Sequence, residues 1–170
     1  MAGGWAAEAG GAARRAHEDV DVSVLERDLQ AVRDWLADHH LWEAHQGALR
    51  PLRPGPALAP GRQQLWVRRN AASPWLVDLL LTPTNGEAWV FKRNDAIRLP
   101  LESVGWEAPD GVSYLKPEVV LLFKAKLCRP KDVADFRSLV ARLDDGARGW
   151  LREALAIAHP RHAWLASLGS

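Results

Sequence analysis

The stretch PWLVDLLL, Pro74 to Leu81, constrains the fold of this 170-residue chain more than any other. Alternate side chains of a strand point to opposite faces, and here both faces are apolar except at Asp78. A strand of that kind lies inside a sheet and is covered on both sides. After TPTNG the pattern resumes in EAWVFK, so Asn85-Gly86 reads as the tight turn of a hairpin whose arms are PWLVDLLL and EAWVFK. Asp78 then carries a buried or cleft-facing charge, which is costly without a partner. Either Arg68, Arg69 or backbone donors satisfy it, or it shares a metal ion with other acids.

Other acids with the right geometry lie upstream in AHEDVDVSVLERD. Val20, Val22 and Val24 alternate with Asp19, Asp21 and Ser23, so a strand over 19 to 25 places both carboxylates on one face. At roughly 3.3 Å per residue their Cα atoms stand about 6.5 Å apart, within reach of one divalent cation or a pair of them. Alone, this pattern also describes the solvated face of an edge strand. With Asp78 on a neighbouring central strand, a shared metal site is favoured.

The rest of the chain alternates elements. Gly3-Gly4 opens an Ala-rich helical segment that Gly10-Gly11 stop, and ERDLQAVRDWLADHH has helical spacing at Leu29, Val32 and Leu36. A weak strand near 41 to 45 precedes LRPLRPGPALAPGRQ, whose prolines at 51, 54, 56 and 60 make it a surface loop. QQLWVRR, 63 to 69, is again a strand. Beyond Asp110-Gly111 the pattern is helical. Pro117 suits a first helical position, VVLLFKAKL makes a buried helix, DVADFRSLVARL a second, and ARGWLREALAIAH a last one that stops before Pro160. Lys126 reads as a helix-end surface group, whereas Lys124 lies deep in the apolar run, where a phosphate is a competing partner. Trp66, Trp75 and Trp89 read as strand residues that pack, while Trp42 and Trp106, near loops, could line an acceptor pocket.

Composition limits the partners. Net charge is +1, but residues 1 to 112 hold 12 Lys and Arg against 15 Asp and Glu, a net of −3, and residues 113 to 170 hold 10 against 6, a net of +4. The absence of a strong basic surplus counts against a nucleic-acid partner. One cysteine, Cys128, fits a reducing compartment, and no apolar run reaches the ~18 residues of a membrane span, so a cytoplasmic protein with no membrane association is expected.

Taken in order, GGW at 3 to 5, RAHEDVDVSVLERD at 15 to 28, PWLVDLLL at 74 to 81, AWVFKR at 88 to 93 and YLKPEVVLLFKAKLCRPKDVADF at 114 to 136 resemble the lincosamide and aminoglycoside nucleotidyltransferases of the polymerase-beta-like superfamily. The resemblance implies an α+β fold, a mixed-sheet nucleotidyltransferase core over 1–112 with a C-terminal helical segment over 113–170 in the same compact unit. It places the metal-binding and catalytic carboxylates at Asp19, Asp21 and Asp78, with Asp78 as metal ligand and base for the acceptor hydroxyl. It places a nucleotide-binding turn at Gly3-Gly4, flanking positions at Arg15 and His17, and Lys124, Lys131 and Asp132 beside the nucleotide. Members carry a helix and a short strand before the Gly-Gly turn, where this chain has only Met1 and Ala2.

The implied activity is Mg²⁺-dependent transfer of a nucleoside monophosphate, from ATP, to a hydroxyl of a small molecule such as an aminoglycoside or lincosamide antibiotic. Three carboxylates on adjacent strands suit two Mg²⁺ ions about 3.5–4 Å apart. Two other readings stay open: a catalytically impaired nucleotide-binding or interaction protein, and a nucleotidyltransferase toxin acting on RNA or protein. The Pro-rich loop, Arg50 to Gly61, is expected to border the acceptor side of the cleft.

Overall fold

In the computed structural model, which describes residues 1–53, 55, 58, 59 and 61–169, the Ala-rich segment forms α1 (Gly3–Ala9), and Gly10 and Gly11 end it. Its small side chains suit its place. Ala6 and Ala7 are fully buried where α1 packs on β1 (Val20–Leu25) and on a helix of the C-terminal half. A short 3₁₀ turn leads from β1 into α2 (Leu29–Trp35). The chain continues through β2 (His40–His45), β3 (Ala48–Pro51), β4 (Gln64–Arg68) and β5 (Val77–Thr82).

These strands form one mixed sheet in the order β1-β5-β4-β2-β3, with β1 parallel to β5 and the other pairs antiparallel. β5 is internal, as its apolar run requires. One face buries Leu65, Val67, Leu79 and Leu81 against Leu29 and Leu36 at the two ends of α2, with Val22 and Val24 beside them. The alternation in β1 therefore turns its valines to α2 and its acids to the opposite face.

Two local expectations are corrected. The first residues of the Pro-rich stretch form β3 rather than loop. It is an edge strand, where the missing N–H of Pro51 is tolerated. Pro54, Pro56 and Pro60 lie outside the described residues. The second correction concerns the hairpin. β5 is not one of its arms, because both its edges are already taken by β1 and β4. After Pro83 the arms are β6 (Thr84–Asn85) and β7 (Ala88–Val90), extended by β8 (Arg98–Pro100) into a separate three-stranded sheet. The pairing of Asn85 with Ala88 makes Gly86 and Glu87 the turn residues, one position later than expected. Gly86, at φ +61°, meets the requirement of the first central position of a type II′ turn.

A one-turn helix α3 (Leu101–Val104) leads into the hairpin of β9 (Gly105–Glu107) and β10 (Ser113–Leu115). Then follow α4 (Pro117–Ala125), α5 (Pro130–Val140) and α6 (Asp145–Ala158). Pro117 stands in the first turn of α4, and the Asp144 carboxylate caps α6 by accepting from the Ala147 N–H. Val119, Leu121, Leu122, Leu139, Leu151 and Leu155 are fully buried with Trp89 and Phe91, so α1, the small sheet and the C-terminal helices share one apolar core. Among the described residues, no helix is long and apolar enough to cross a membrane. The architecture is α+β.

Candidate active site

The parallel register of β1 and β5 sets Asp21 directly beside Asp78, and Asp19 lies two residues before Asp21 on the same face. The N-terminus of α1 closes over them: the Ala2 N–H donates to the Asp21 carbonyl at 2.8 Å. Asp19, Asp21, Asp78, Gly3, Gly4, Arg15, His17, Lys124 and Lys131 all line a single cleft of about 500 Å³, within the size of small-ligand sites.

Burial is the largest influence on Asp78, which is 8% exposed, and with Asp21 and Asp19 nearby its pKa is pushed from 3.8 up to about 6. A 2.5 Å hydrogen bond from the Gln64 side chain to its Oδ2 and the charge of Lys92 work in the other direction. Oδ1 is buried without a partner. Asp21 is also raised, by burial first and then by Asp19. Neither Arg68 nor Arg69 satisfies Asp78; the donor is Gln64, a residue the sequence did not single out. Among the described residues, no three His, Cys, Asp or Glu side chains converge closely enough to hold a metal ion in this conformation, with Gln64 keeping one oxygen of Asp78.

Gly3 has φ +56°, and a Cβ there would fall on the Asp21 carboxylate; one at Gly4 would fall on the His17 ring and crowd Arg15. The Gly-Gly turn is thus a close-approach requirement of the acid cluster itself. His17 Nε2 is 2.7 Å from Glu8 Oε1, and its ring packs at 4.8 Å from Trp5, whose Nε1 donates to the Asp19 carbonyl.

Lys124, expected beside the nucleotide, lines the cleft and already has two carboxylate partners. Its Nζ lies 2.9 Å from Asp135 and 3.3 Å from Asp132, both buried. Arg15 meets Asp135 through two nitrogens at 3.3 Å, and Arg129 bonds Asp132 at 2.8 Å. Burial alone would raise Asp132, yet the Arg129 hydrogen bonds hold its carboxyl below the ordinary value. A buried lysine with two carboxylates is a positioning element that ties α4 to α5. The cations that line the cleft with no carboxylate in salt-bridge range, among the described residues, are Lys92, Arg93 and Lys131. Arg93 is turned to the Phe123 carbonyl. Burial and the neighbouring Arg93 lower the pKa of Lys92. Lys92 lies in AWVFKR, a stretch of the family resemblance that did not mark it as a site residue.

The acceptor-side expectations divide. Leu52 and Leu58 of the Pro-rich stretch pack on the α2 side of the sheet, and Leu52, Arg53 and Gly55 line a separate cavity with Arg33 and His39. Leu52, Arg53, Gly55 and Leu58 therefore lie across the sheet from the acids, because Leu52 and Leu58 are drawn to the apolar face. Trp106 stacks on Tyr114 in the β9–β10 hairpin. Trp75 precedes β5 and is half-buried; Trp66 is half-buried in β4; of these three Trp89 alone is in the core. Trp42 stands on the acid-bearing face, two strands from Asp78.

No protein-family model matches the sequence, and no curated protein matches it closely enough to count as a relative. Among solved structures the chain is similar to the antibiotic-resistance factor ANT(2'')-Ia, an aminoglycoside nucleotidyltransferase, with a TM-score of 0.55 and 17% sequence identity over 94% of this chain and 82% of that one. With its mixed sheet, its acid pair on adjacent parallel strands and its C-terminal helices, this chain has a nucleotidyltransferase-like α+β fold.

Proposed function

We propose that this protein is a Mg²⁺-dependent nucleotidyltransferase that moves a nucleoside monophosphate, from ATP, to a hydroxyl of a small molecule. The observation that carries the reading is the juxtaposition of Asp21 and Asp78, side by side on parallel strands, both desolvated and both raised, with Asp19 on the same face and, among the described residues, no cation in salt-bridge range of them. Like charges gathered at a cost mark a functional site. The fold neighbour's activity supports it.

Asp19, Asp21 and Asp78, which do not converge in this conformation, would close on the metal as it binds; the buried, unpartnered Oδ1 of Asp78 is the oxygen open to it. Bound there, two Mg²⁺ ions would polarise the α-phosphate and neutralise the leaving pyrophosphate. Asp78 takes the proton from the acceptor hydroxyl as its oxygen bonds to the α-phosphorus and the bond to pyrophosphate breaks. In the metal-free chain burial and the neighbouring acids raise its pKa to about 6, above that of an ordinary carboxylate. Gly3 and Gly4 bring first-turn N–H groups, which lack intrahelical acceptors, to the cleft wall. Lys131 and Lys92 are the cations left for the triphosphate, while Arg15, His17 and Lys124 hold the wall in place through Glu8, Asp132 and Asp135.

Calorimetry with ATP, with and without Mg²⁺, tests the donor half of the reading, and pyrophosphate release with aminoglycosides, lincosamides and simple sugars tests transfer. Metal-dependent ATP binding and acceptor-dependent pyrophosphate release are the expected results. Failure to bind ATP in the presence of Mg²⁺ would overturn the proposal.

A further inference from the structure

On the acid-bearing face of the five-stranded sheet, the residue directly across from Asp78 is Trp66, and the one across from Trp66 is Trp42. Trp75 stands edge-on to both, 5.4 Å from Trp66 and 6.2 Å from Trp42. Arg68 lies over Trp75 at 4.6 Å and over Trp42 at 5.1 Å. All four side chains are half-buried, and the three rings belong to neither apolar core cluster. Tryptophans left out of the core, on the one face that carries the acids, form a platform that continues past Asp78.

The platform has a definite charge. Among the described residues Arg68 has no carboxylate partner, and its Nη1 donates only to the Ala71 carbonyl. The Arg68 Nε and the Trp66 Nε1 are buried donors with no acceptor. A guanidinium beside two indoles, with no carboxylate in salt-bridge range among the described residues, keeps its Nη2 N–H groups for a carboxylate or phosphate. Lying beside Trp42 and Trp75, it repels a ligand cation.

We propose that Trp42, Trp66, Trp75 and Arg68 form the acceptor subsite, and that it takes a ring-bearing small molecule with an anionic substituent, of the sugar-phosphate class, rather than a polycation. The inference rests on the nucleotidyl-transfer reading, which puts the reacting hydroxyl beside Asp78, next to Trp66. The ring packs on the indoles and the anion pairs with Arg68.

Quenching of tryptophan fluorescence by glucose 1-phosphate, by glucose and by an aminoglycoside, with neither ATP nor metal present, tests the subsite apart from the chemistry. The phosphate-bearing sugar is expected to bind at least about tenfold tighter than the other two, the size of one charge-assisted pair. R68E should remove that preference and leave Mg²⁺–ATP binding unchanged, and W42L should weaken both sugars; R68Q serves where R68E does not fold. An aminoglycoside that binds as tightly as the sugar phosphate, a preference that survives R68E and R68Q, or a single-stranded oligonucleotide that outcompetes the sugar phosphate would each overturn the proposal. Loss of Mg²⁺–ATP binding in the wild type with the sugar-phosphate preference intact would strike the transfer reading and support the subsite.

Discussion

Replacing Asp78 by Asn removes one charge from the acid cluster and leaves an oxygen to accept the Gln64 hydrogen bond. The carboxyl is raised from 3.8 to about 6 in the folded chain, chiefly by burial. A raised folded pKa means that the protonated form is the one folding favours. Its contribution is complete below about pH 4 and lost as pH rises through 6. At about 1.4 kcal/mol per unit, the ionised carboxylate costs the metal-free protein up to about 3 kcal/mol above that range. D78N should escape this cost. A chain of this size gains roughly 2–4 °C in Tm per kcal/mol, so the variant should melt up to about 12 °C higher at pH 7.5 without metal. Near pH 4 the two proteins should melt together. Thermal denaturation followed by circular dichroism at both pH values, with EDTA, measures the difference. Mg²⁺ should raise the melting temperature of the wild type and not that of D78N, narrowing the gap. An equal or lower Tm for D78N at pH 7.5, or a gain of the same size at pH 4, would refute the argument that desolvation of an unpaired charge dominates this position.

D19A and D21A should each abolish transfer while the fold survives, since both remove a like charge from a cluster that repels itself in the absence of metal; pyrophosphate release and circular dichroism report the two halves. K124M should destabilise by about 3–5 kcal/mol because it leaves Asp132 and Asp135 short of a buried cation, a loss readable as a fall in denaturation midpoint. K92M should leave the melting temperature nearly unchanged or raise it slightly and should weaken Mg²⁺–ATP binding about tenfold by calorimetry, the scale of one lost charged contact. G3A should displace Asp21 as well as strain a backbone at φ +56°, and so should lose both stability and metal response.

The sequence alone determined the features that are local and periodic. The two-residue alternation of acids and valines fixed which side chains of β1 share a face, the doubly apolar run placed β5 inside the sheet, and Pro117 marked the start of α4. The nine candidate site residues, read from motifs and family resemblance, do line one cleft. Tertiary structure decided whatever depends on partners distant in the chain. The edges of β5 were taken by β1 and β4, which moved the hairpin to other arms. Lys124 found Asp132 and Asp135 only because α5 folds back on α4, and Gln64 reached Asp78 only through the β4–β5 register. The tryptophans mark the limit most clearly. Trp66 alternates along β4 as a core residue would, but alternation says only that two faces differ. Which face is filled by apolar partners and which is left beside the acids depends on what packs against the sheet: α2 lies on one side, and the other carries the cleft.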